Sequence, residues 1–426
     1  MKFLIIKIRV LIKLIFDKYK QKAMESFLKF FIVLFNIGLI NNFSYVLISV
    51  GAQSLSSHFG EQDLMPLFTL MLVAFNLPTL IVNFRYLGSV NTLLRISVVC
   101  GISVLSFGVM AVCVSTNASW GFPIALMASL IMGMAQAIGE CVNLGFLKAF
   151  PSDYIVGFTS GTGFAGIAGS GGWLICTAIG LQGYQIFLIF TPLLLIYWIC
   201  FFWIYKRGKK IANIQQYSMV EGPMLNEESY SKSLEAEKSE KEKENVAETG
   251  NSEFSSKLLK TVWKNIWFWG MNLCLVYFLE YCVITGFADR ATLKYSDKGS
   301  FVNANAFVII QFCYQFGVWC SRSSLKFFKV ERVWIVTVLQ MVNWVVWWIE
   351  AEVLFLTPWG EFALTVWVGL MGGLAYVNTG YLILNSDIIP KEHKEASMNV
   401  MLALDNFGVL MATCFCLLLD NFIMPA

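Results

Sequence analysis

Long apolar runs separated by short polar breaks fill the chain on either side of a single window without one. From Lys206 to Lys260 the sequence opens with Lys206, Arg207, Lys209 and Lys210, directly after the aromatic run Phe201, Phe202, Trp203 and Tyr205. It then passes into the alternating Glu/Lys stretch Glu235 to Glu244. Such a segment has almost no apolar surface with which to offset its ordering entropy, so it reads as a solvated, largely disordered cytosolic linker. Opposite charges at helical spacing make an exposed charged helix the alternative for its Glu/Lys part.

A membrane-crossing helix needs about 20 mostly apolar residues, and on that measure the chain predicts about eleven. Residues 27–205 supply six: Phe27 to Val50, Leu64 to Phe84, Leu93 to Val114, Phe122 to Phe150, Val156 to Leu181 and Tyr184 to Tyr205. Residues 261–426 supply five: Val262 to Phe287, Phe301 to Cys320, Val333 to Ile349, Phe362 to Leu384 and Ala396 to Leu419. The predicted organisation is therefore a six-helix bundle, the linker 206–260 and a five-helix bundle, in an all-α polytopic membrane protein. Residues 1–26 mix Phe3, Leu4, Ile5 and Ile6 with Lys7, Arg9, Lys13, Lys18, Lys20 and Lys22. That stretch is too charged to span and reads as a basic amphipathic segment on the cytosolic leaflet or a disordered tail.

Composition agrees: 57% of residues are hydrophobic and 14% charged, outside the range of soluble globular proteins. The net charge of +3 gives no footing for nucleic acid, and the basic residues instead report topology. With the N-terminus in the cytosol, Arg85, Lys148, the Lys206 cluster, Arg322, Lys326, Lys329, Arg332, Lys391 and Lys394 fall in cytosolic loops. The opposite side holds His58, Glu61, Asp63, Asn117, Glu350, Glu352 and Glu361, and the C-terminus is lumenal. One loop dissents, with Arg290, Lys294 and Lys298 on the lumenal side beside Asp289 and Asp297. The 11 cysteines lie almost entirely in apolar runs, where they act as small packing residues. With two histidines and no zinc spacing, no metal site or cofactor is expected.

Ionisable residues at membrane depth carry the chemistry. Glu140, Glu280 and Asp405 fall inside predicted spans, where a charge costs about 2.5–3.5 kcal/mol even on lenient insertion scales. Each needs a wet cavity, a partner or a proton, which marks a substrate or proton pathway; the bland alternative is a hydrogen-bonded carboxyl that ties helices together. Asn41, Asn42, Tyr45, Tyr281, Tyr376, Asn378 and Asn406 accompany them. Arg322 lies at the cytosolic mouth of the eighth span, suited either to a bidentate anion or to the ordinary topogenic role. The span from Val156 is rich in glycine and reads as a packing seam or a substrate-lining helix. Within it, Ser160-Gly-Thr162-Gly163 could also break the helix and expose amides to an anion.

Several of these runs carry a family resemblance. Asn41-Asn-Phe-Ser-Tyr-Val46, Gly139-Glu140, Ser160-Gly-Thr-Gly163, Glu280-Tyr281, Tyr314-Gln315, Ser321-Arg-Ser-Ser-Leu325 and Ala375-Tyr-Val-Asn-Thr379 together resemble the battenin family of lysosomal membrane proteins. The match keeps its order on both sides of the linker. It implies a divergent major-facilitator fold, residence in lysosomes or vacuoles, and links to lumenal pH, basic amino acids and glycerophosphodiesters. It also implies a site in which Arg322 faces a phosphodiester, Asn41, Asn42, Tyr45, Tyr376 and Asn378 bond it, and Glu140, Glu280 or Asp405 takes a proton or a hydroxyl. The chain departs from its animal relative in a basic rather than acidic N-terminus and in ending Met424-Pro-Ala426, with no cysteine for prenylation.

In the linker, Tyr217-Ser-Met-Val220 fits a tyrosine-based sorting signal for trafficking adaptors. Asn117-Ala-Ser119 is a glycosylation sequon on the predicted lumenal side. Two functions stand against each other: a transporter of a small polar metabolite, with proton coupling, and a non-transporting scaffold that recruits trafficking machinery through the linker. Enzymatic chemistry has no visible nucleophile with a base, metal cluster or phosphate loop to stand on.

Overall fold

The computed structural model describes residues 2–76, 78–79, 82, 90–116, 118, 120–147, 152–220, 256–295, 299–324, 327, 329–390 and 393–423. The side chains of 2–26, 152–155, 208–220, 256–259 and 395 also lie outside that description. The described regular structure is entirely helical. The N-terminal half holds α1 (Lys2–Phe59), α2 (Pro66–Ala74), α3 (Thr92–Thr116), α4 (Gly121–Leu147), α5 (Ser152–Ala178) and α6 (Gly183–Val220). In the C-terminal half, α7 (Ser256–Tyr281) runs through a π-helical turn (Cys282–Phe287) into α8 (Ala288–Leu293). There follow α9 (Ala306–Arg322), α10 (Val333–Val353), α11 (Pro358–Asn385) and α12 (Lys394–Leu418), the last ending in a π-helical turn (Leu419–Ile423).

Eight of the described helical stretches are long and apolar enough to cross a membrane: Phe27–Phe59, Thr92–Thr116, Gly121–Leu147, Gly183–Arg207, Lys260–Leu293, Val333–Val353, Pro358–Asn385 and Ala396–Ile423. The remaining three expected spans correspond to α2, α5 and α9. Of these, α9 is only 17 residues long, α5 has its 27 residues diluted by glycine and hydroxyl side chains, and the expected span beyond α2 continues outside the described residues. The count of eleven is therefore not reached on that measure.

Two boundaries differ from expectation. The basic N-terminal segment is continuous with the first span, giving a 58-residue helix about 87 Å long at 1.5 Å per residue. At the other edge of the first bundle, α6 continues past Arg207 to Val220, because nothing in Lys209 to Val220 is a helix breaker. The first part of the expected linker is thus helical. Residues 221–255, with the Glu/Lys stretch, lie outside the described residues, as do Asn117 and Ser119 of the sequon.

Within the first bundle α1 packs most extensively on α5, and α3 on α4 and α6. Glycine makes the first contact possible. A Cβ on Gly161 would lie 2.0 Å from the Phe35 carbonyl oxygen, and one on Gly38 2.1 Å from that of Phe158. Backbones this close supply the van der Waals contact that replaces hydrophobic driving force in lipid. The glycine-rich helix is unbroken from Ser152 to Ala178, so Ser160 to Gly163 exposes no free amides. In the second bundle α9 packs on α11 and α7 on α12. The bundles meet along α5 with α9 and along α2 with α12.

The dissenting basic loop has a local explanation. Lys294 donates to Glu350 and, at 2.9 Å, to Glu361, and the Leu356 carbonyl accepts at 3.2 Å. Glu350 and Glu361, expected in open lumenal loops, are instead fully buried. Burial of the Lys294 ammonium opposes its charge, yet the hydrogen bonds from both acids outweigh that cost and hold it above the ordinary lysine range. Burial also pushes the neighbouring Tyr295 phenol up to about 12. Lys294 is thus neutralised within the fold and exerts little topogenic pull.

Candidate functional site

The 3.6-residue repeat of α4 places Gln136, Gly139, Glu140 and Asn143 at three- and four-residue spacing on one face, turned toward α1 and α6. Gln136 Nε2 donates to Glu140 Oε2 at 2.7 Å and to Asn42 Oδ1 at 3.1 Å. Asn41 Nδ2 donates to Asn42 Oδ1 at 3.0 Å and to the Gln136 carbonyl at 3.3 Å. Behind them, the Tyr197 hydroxyl donates to Asn41 Oδ1 at 3.2 Å and accepts from Asn143 Nδ2 at 2.7 Å. A Cβ on Gly139 would lie 2.1 Å from Asn41 Oδ1. The glycine is what lets the asparagine reach the helix. Expectation missed Gln136, Asn143 and Tyr197. The first two could have been found from their spacing to Glu140, whereas nothing in the Leu- and Ile-rich run around Tyr197 distinguishes it.

In the second bundle, the Tyr314 hydroxyl donates to Glu280 Oε1, and Glu280 Oε2 is buried with no partner. Gly372 on α11 makes room for this carboxyl: a Cβ there would lie 1.9 Å from Glu280 Oε2. Arg322, at the end of α9, lies over the Tyr376 ring with its guanidinium carbon 4.7 Å from the centroid. Its buried Nε meets no hydrogen-bond partner. Tyr277 stacks on Tyr281 at 6.2 Å and meets Tyr376 at 6.4 Å, lining one wall with aromatic faces. On α12, Asn406 Nδ2 donates to Asp405 Oδ1 at 2.9 Å, and Asn76, just past the end of α2, donates to Asn406 Oδ1 across the bundle boundary at 3.5 Å.

These pieces share one charge. Arg322 is an electrostatic neighbour of Glu140 from the first bundle and of Glu280 and Asp405 from the second. Tyr45 of α1 feels Arg322, Glu140 and Asp405 together. Asn42, Tyr45, Gln136, Glu140, Tyr281, Arg322 and Tyr376 are half-buried rather than sealed, although they lie between the bundles. The fold thus joins residues from α1, α4, α7, α9, α11 and α12 around one cation.

Three expected site residues are not brought in. Asn378 is fully buried; it donates to the Leu374 carbonyl at 2.9 Å and accepts from the Val330 amide at 2.7 Å, so it anchors the segment between α9 and α10. Thr162 donates to the Thr159 carbonyl one turn back at 2.8 Å, and Ser160 shares that unbroken helix. Tyr217 and Val220 lie on the extension of α6, with side chains outside the described residues. Among the described residues, no group of three His, Cys, Asp or Glu is placed to hold a metal ion.

Similarity to known proteins follows the same outline. A family model described as CLN3 protein matches residues 29–425. Battenin of Dictyostelium discoideum is 34% identical over 409 residues, covering 93% of this chain and 95% of that relative. Among solved structures, a D-xylose-proton symporter aligns with a TM-score of 0.58 at 8% identity, covering 92% of this chain and 90% of its own. A bacterial homolog of the human lysosomal transporter Spinster, inward-facing and occupied, aligns with a TM-score of 0.56 at 16% identity, covering 92% and 81%. At that identity the structural likeness speaks to architecture alone: two helical bundles in the major-facilitator arrangement. By the family match and the identity to battenin along nearly its whole length, this chain is a member of the CLN3 family of multi-pass membrane proteins.

Proposed function

We propose that this chain is a secondary transporter of the lysosomal or vacuolar membrane that carries a small anionic metabolite, of which a glycerophosphodiester is the favoured class, between its two bundles with proton coupling. The observation that supports it most is Arg322, which is half-buried between the bundles, has an unpartnered Nε and is the common electrostatic neighbour of Glu140, Glu280 and Asp405. A guanidinium can hold a phosphodiester in bidentate fashion, and the Tyr376 face keeps its plane fixed. The half-buried Asn42, Gln136 and Tyr45 offer hydrogen bonds to glycerol hydroxyls from the facing bundle. Glu280, with one oxygen bonded by Tyr314 and the other without a partner, is the natural seat for the coupled proton. The names of the aligned transporters, one proton-coupled and one related to a lysosomal carrier, are compatible with this reading.

A second reading rests on the same centre. Three acids surround one arginine, an excess of negative charge that favours a basic amino acid when they are ionised. Uptake into proteoliposomes containing the full chain separates the two. A phosphodiester carrier takes up glycerophosphodiester, and Arg322→Ala lowers that uptake by about a hundredfold, the loss of roughly 3 kcal/mol expected for a charge-assisted bidentate contact. Uptake of lysine that survives Arg322→Ala, with none of the phosphodiester, would establish the second reading. No uptake of either returns the protein to a scaffold role.

A further inference from the structure

The loop between α1 and α2, the end of α8 and the end of α12 all lie at the end of the molecule opposite Arg322, and there the two bundles are joined by polar side chains. Gln53 of α1 donates to Asp289 Oδ1 at 2.6 Å and approaches Thr292 Oγ1 at 3.1 Å. Asn421, past the end of α12, donates to the Asp63 carbonyl at 3.3 Å. Both contacts cross from one bundle to the other. Between them sits Asp420, which is 2% exposed and has no partner for either carboxylate oxygen. The charged groups that face it are Asp289 and Arg290 from α8 and Asp63 from the α1–α2 loop. The Cys416 thiol, one turn back on α12, lies close to both Asp420 and Asp289.

An acid enclosed in this way cannot remain ionised without a large desolvation cost. Asp289 has its Gln53 amide, while Asp420 has no hydrogen-bond donor and has two further acids nearby. Closing the bundles over Asp420 therefore traps a proton, and removing that proton favours a separated arrangement in which water reaches the carboxylate. We propose that Asp420 is a proton-binding site that controls the contact between the bundles at this end: protonated, the Gln53–Asp289 and Asn421–Asp63 clasp closes; deprotonated, it opens. The direction follows from charge, so acid on this face closes the clasp and neutral pH loosens it. This rests on the reading of the two bundles as mutually mobile. It adds a proton site distinct from Glu140, Glu280 and Asp405, on the opposite side of the central cation.

The test is a distance measured without flux. Genetically encoded spin-labelled amino acids at Trp120 and Trp359, both exposed at this end and one in each bundle, leave the 11 native cysteines untouched. Pulsed dipolar spectroscopy on the full chain in nanodiscs should show the short-distance population falling by about tenfold between about pH 5 and about pH 7.5. Asp420→Asn, an uncharged isostere, should hold the short distance at both values. A wild-type distance that ignores pH, or an Asp420→Asn protein that still follows it, overturns the proposal. If Asp420→Asn does not assemble, Gln53→Ala serves instead: it should raise the separated population at both values while keeping the pH response, and loss of that response with Asp420 intact is again contrary. Absence of uptake with the pH-driven distance change present would sink the transport reading and leave the clasp standing.

Discussion

The two bundles differ in how fully their buried polar groups are partnered, although the first also holds Asn76 Oδ1 and Trp173 Nε1 without a partner. In the first, Asn41, Asn42, Gln136, Glu140, Asn143 and Tyr197 form a connected set of hydrogen bonds, each member bonded to another. In the second, buried polar atoms stand without partners: Glu280 Oε2, Arg322 Nε, both amide atoms of Gln340 and of Asn343, and both carboxylate oxygens of Asp420. A connected network fixes helix register and stabilises one arrangement. Unpartnered groups are costly in any static arrangement. They point to a solute, a proton or a second arrangement that would satisfy them. On the proposed transport reading, the first bundle would serve as the frame of the site and the second as the half that responds.

A bonded cluster inside the second bundle gives the sharpest way to break this contrast. Lys294, Glu350, Glu361 and Tyr295 form a bonded cluster, with the Tyr295 hydroxyl donating to Glu361 Oε1 at 3.1 Å and the Leu356 amide to Glu350 Oε2 at 2.8 Å. Lys294→Met leaves two buried acids without their cation and should destabilise the protein by about 3–5 kcal/mol, the cost of breaking a buried pair from one side. Thermal unfolding in detergent checks it. Because the ammonium is held above the ordinary lysine range, its contribution is fully present below the unfolded value of about 10.4 and is lost only as pH rises through the higher folded one. Wild-type stability should therefore show no loss from Lys294 between acidic and neutral pH. A Lys294→Met protein as stable as wild type would show that this cluster adds nothing to the bundle's rigidity.

That cluster also shows where reading the sequence stops. The two hydrophobic halves and the acids at membrane depth were legible because the cost of charge in lipid is local: one residue in an apolar run is enough to see it. Glu350 and Glu361 read from the sequence as open-loop residues because a lysine 56 residues away from Glu350 along the chain leaves no mark on either acid's own neighbourhood. Arg322 was visible as an arginine at a span end. Its position as the common neighbour of three acids on α4, α7 and α12 is set by how α9 crosses the other helices, which no local pattern encodes. Asn378 misleads for the converse reason: an asparagine in an apolar helix is as ready to bind a loop amide as a solute, and only the place of Val330 decides.

Gly372 sharpens the contrast at the responsive half. Glu280 occupies space that any larger residue at 372 would fill, with the nearest carboxylate oxygen 1.9 Å from a Cβ. Gly372→Ala should displace the carboxyl from Tyr314 and cost about 1–3 kcal/mol in stability, as overpacking typically does. The pH profile of uptake should flatten, since the displaced acid no longer lies where its proton is coupled. If the profile is unchanged while stability falls, the glycine is a packing residue only, and the coupled proton sits on Asp405 or Glu140 instead.

The smallest effect belongs to the frame. Tyr197→Phe removes the bond to Asn41 Oδ1 while Asn143 keeps its bond to the Gly139 carbonyl at 2.7 Å. Interhelical hydrogen bonds in membranes contribute about 0.6 kcal/mol on average, so unfolding should shift only slightly and uptake should stay within about twofold, a change of roughly 0.4 kcal/mol. The neighbouring Asn41→Ala would not be a fair substitute, because Asn41 also positions Asn42 and through it Gln136 and Glu140. A large loss of uptake in Tyr197→Phe without a matching loss of stability would show that the bonded network rearranges during transport. The first bundle would then be a moving part as well, and the division between frame and responder would have to be abandoned.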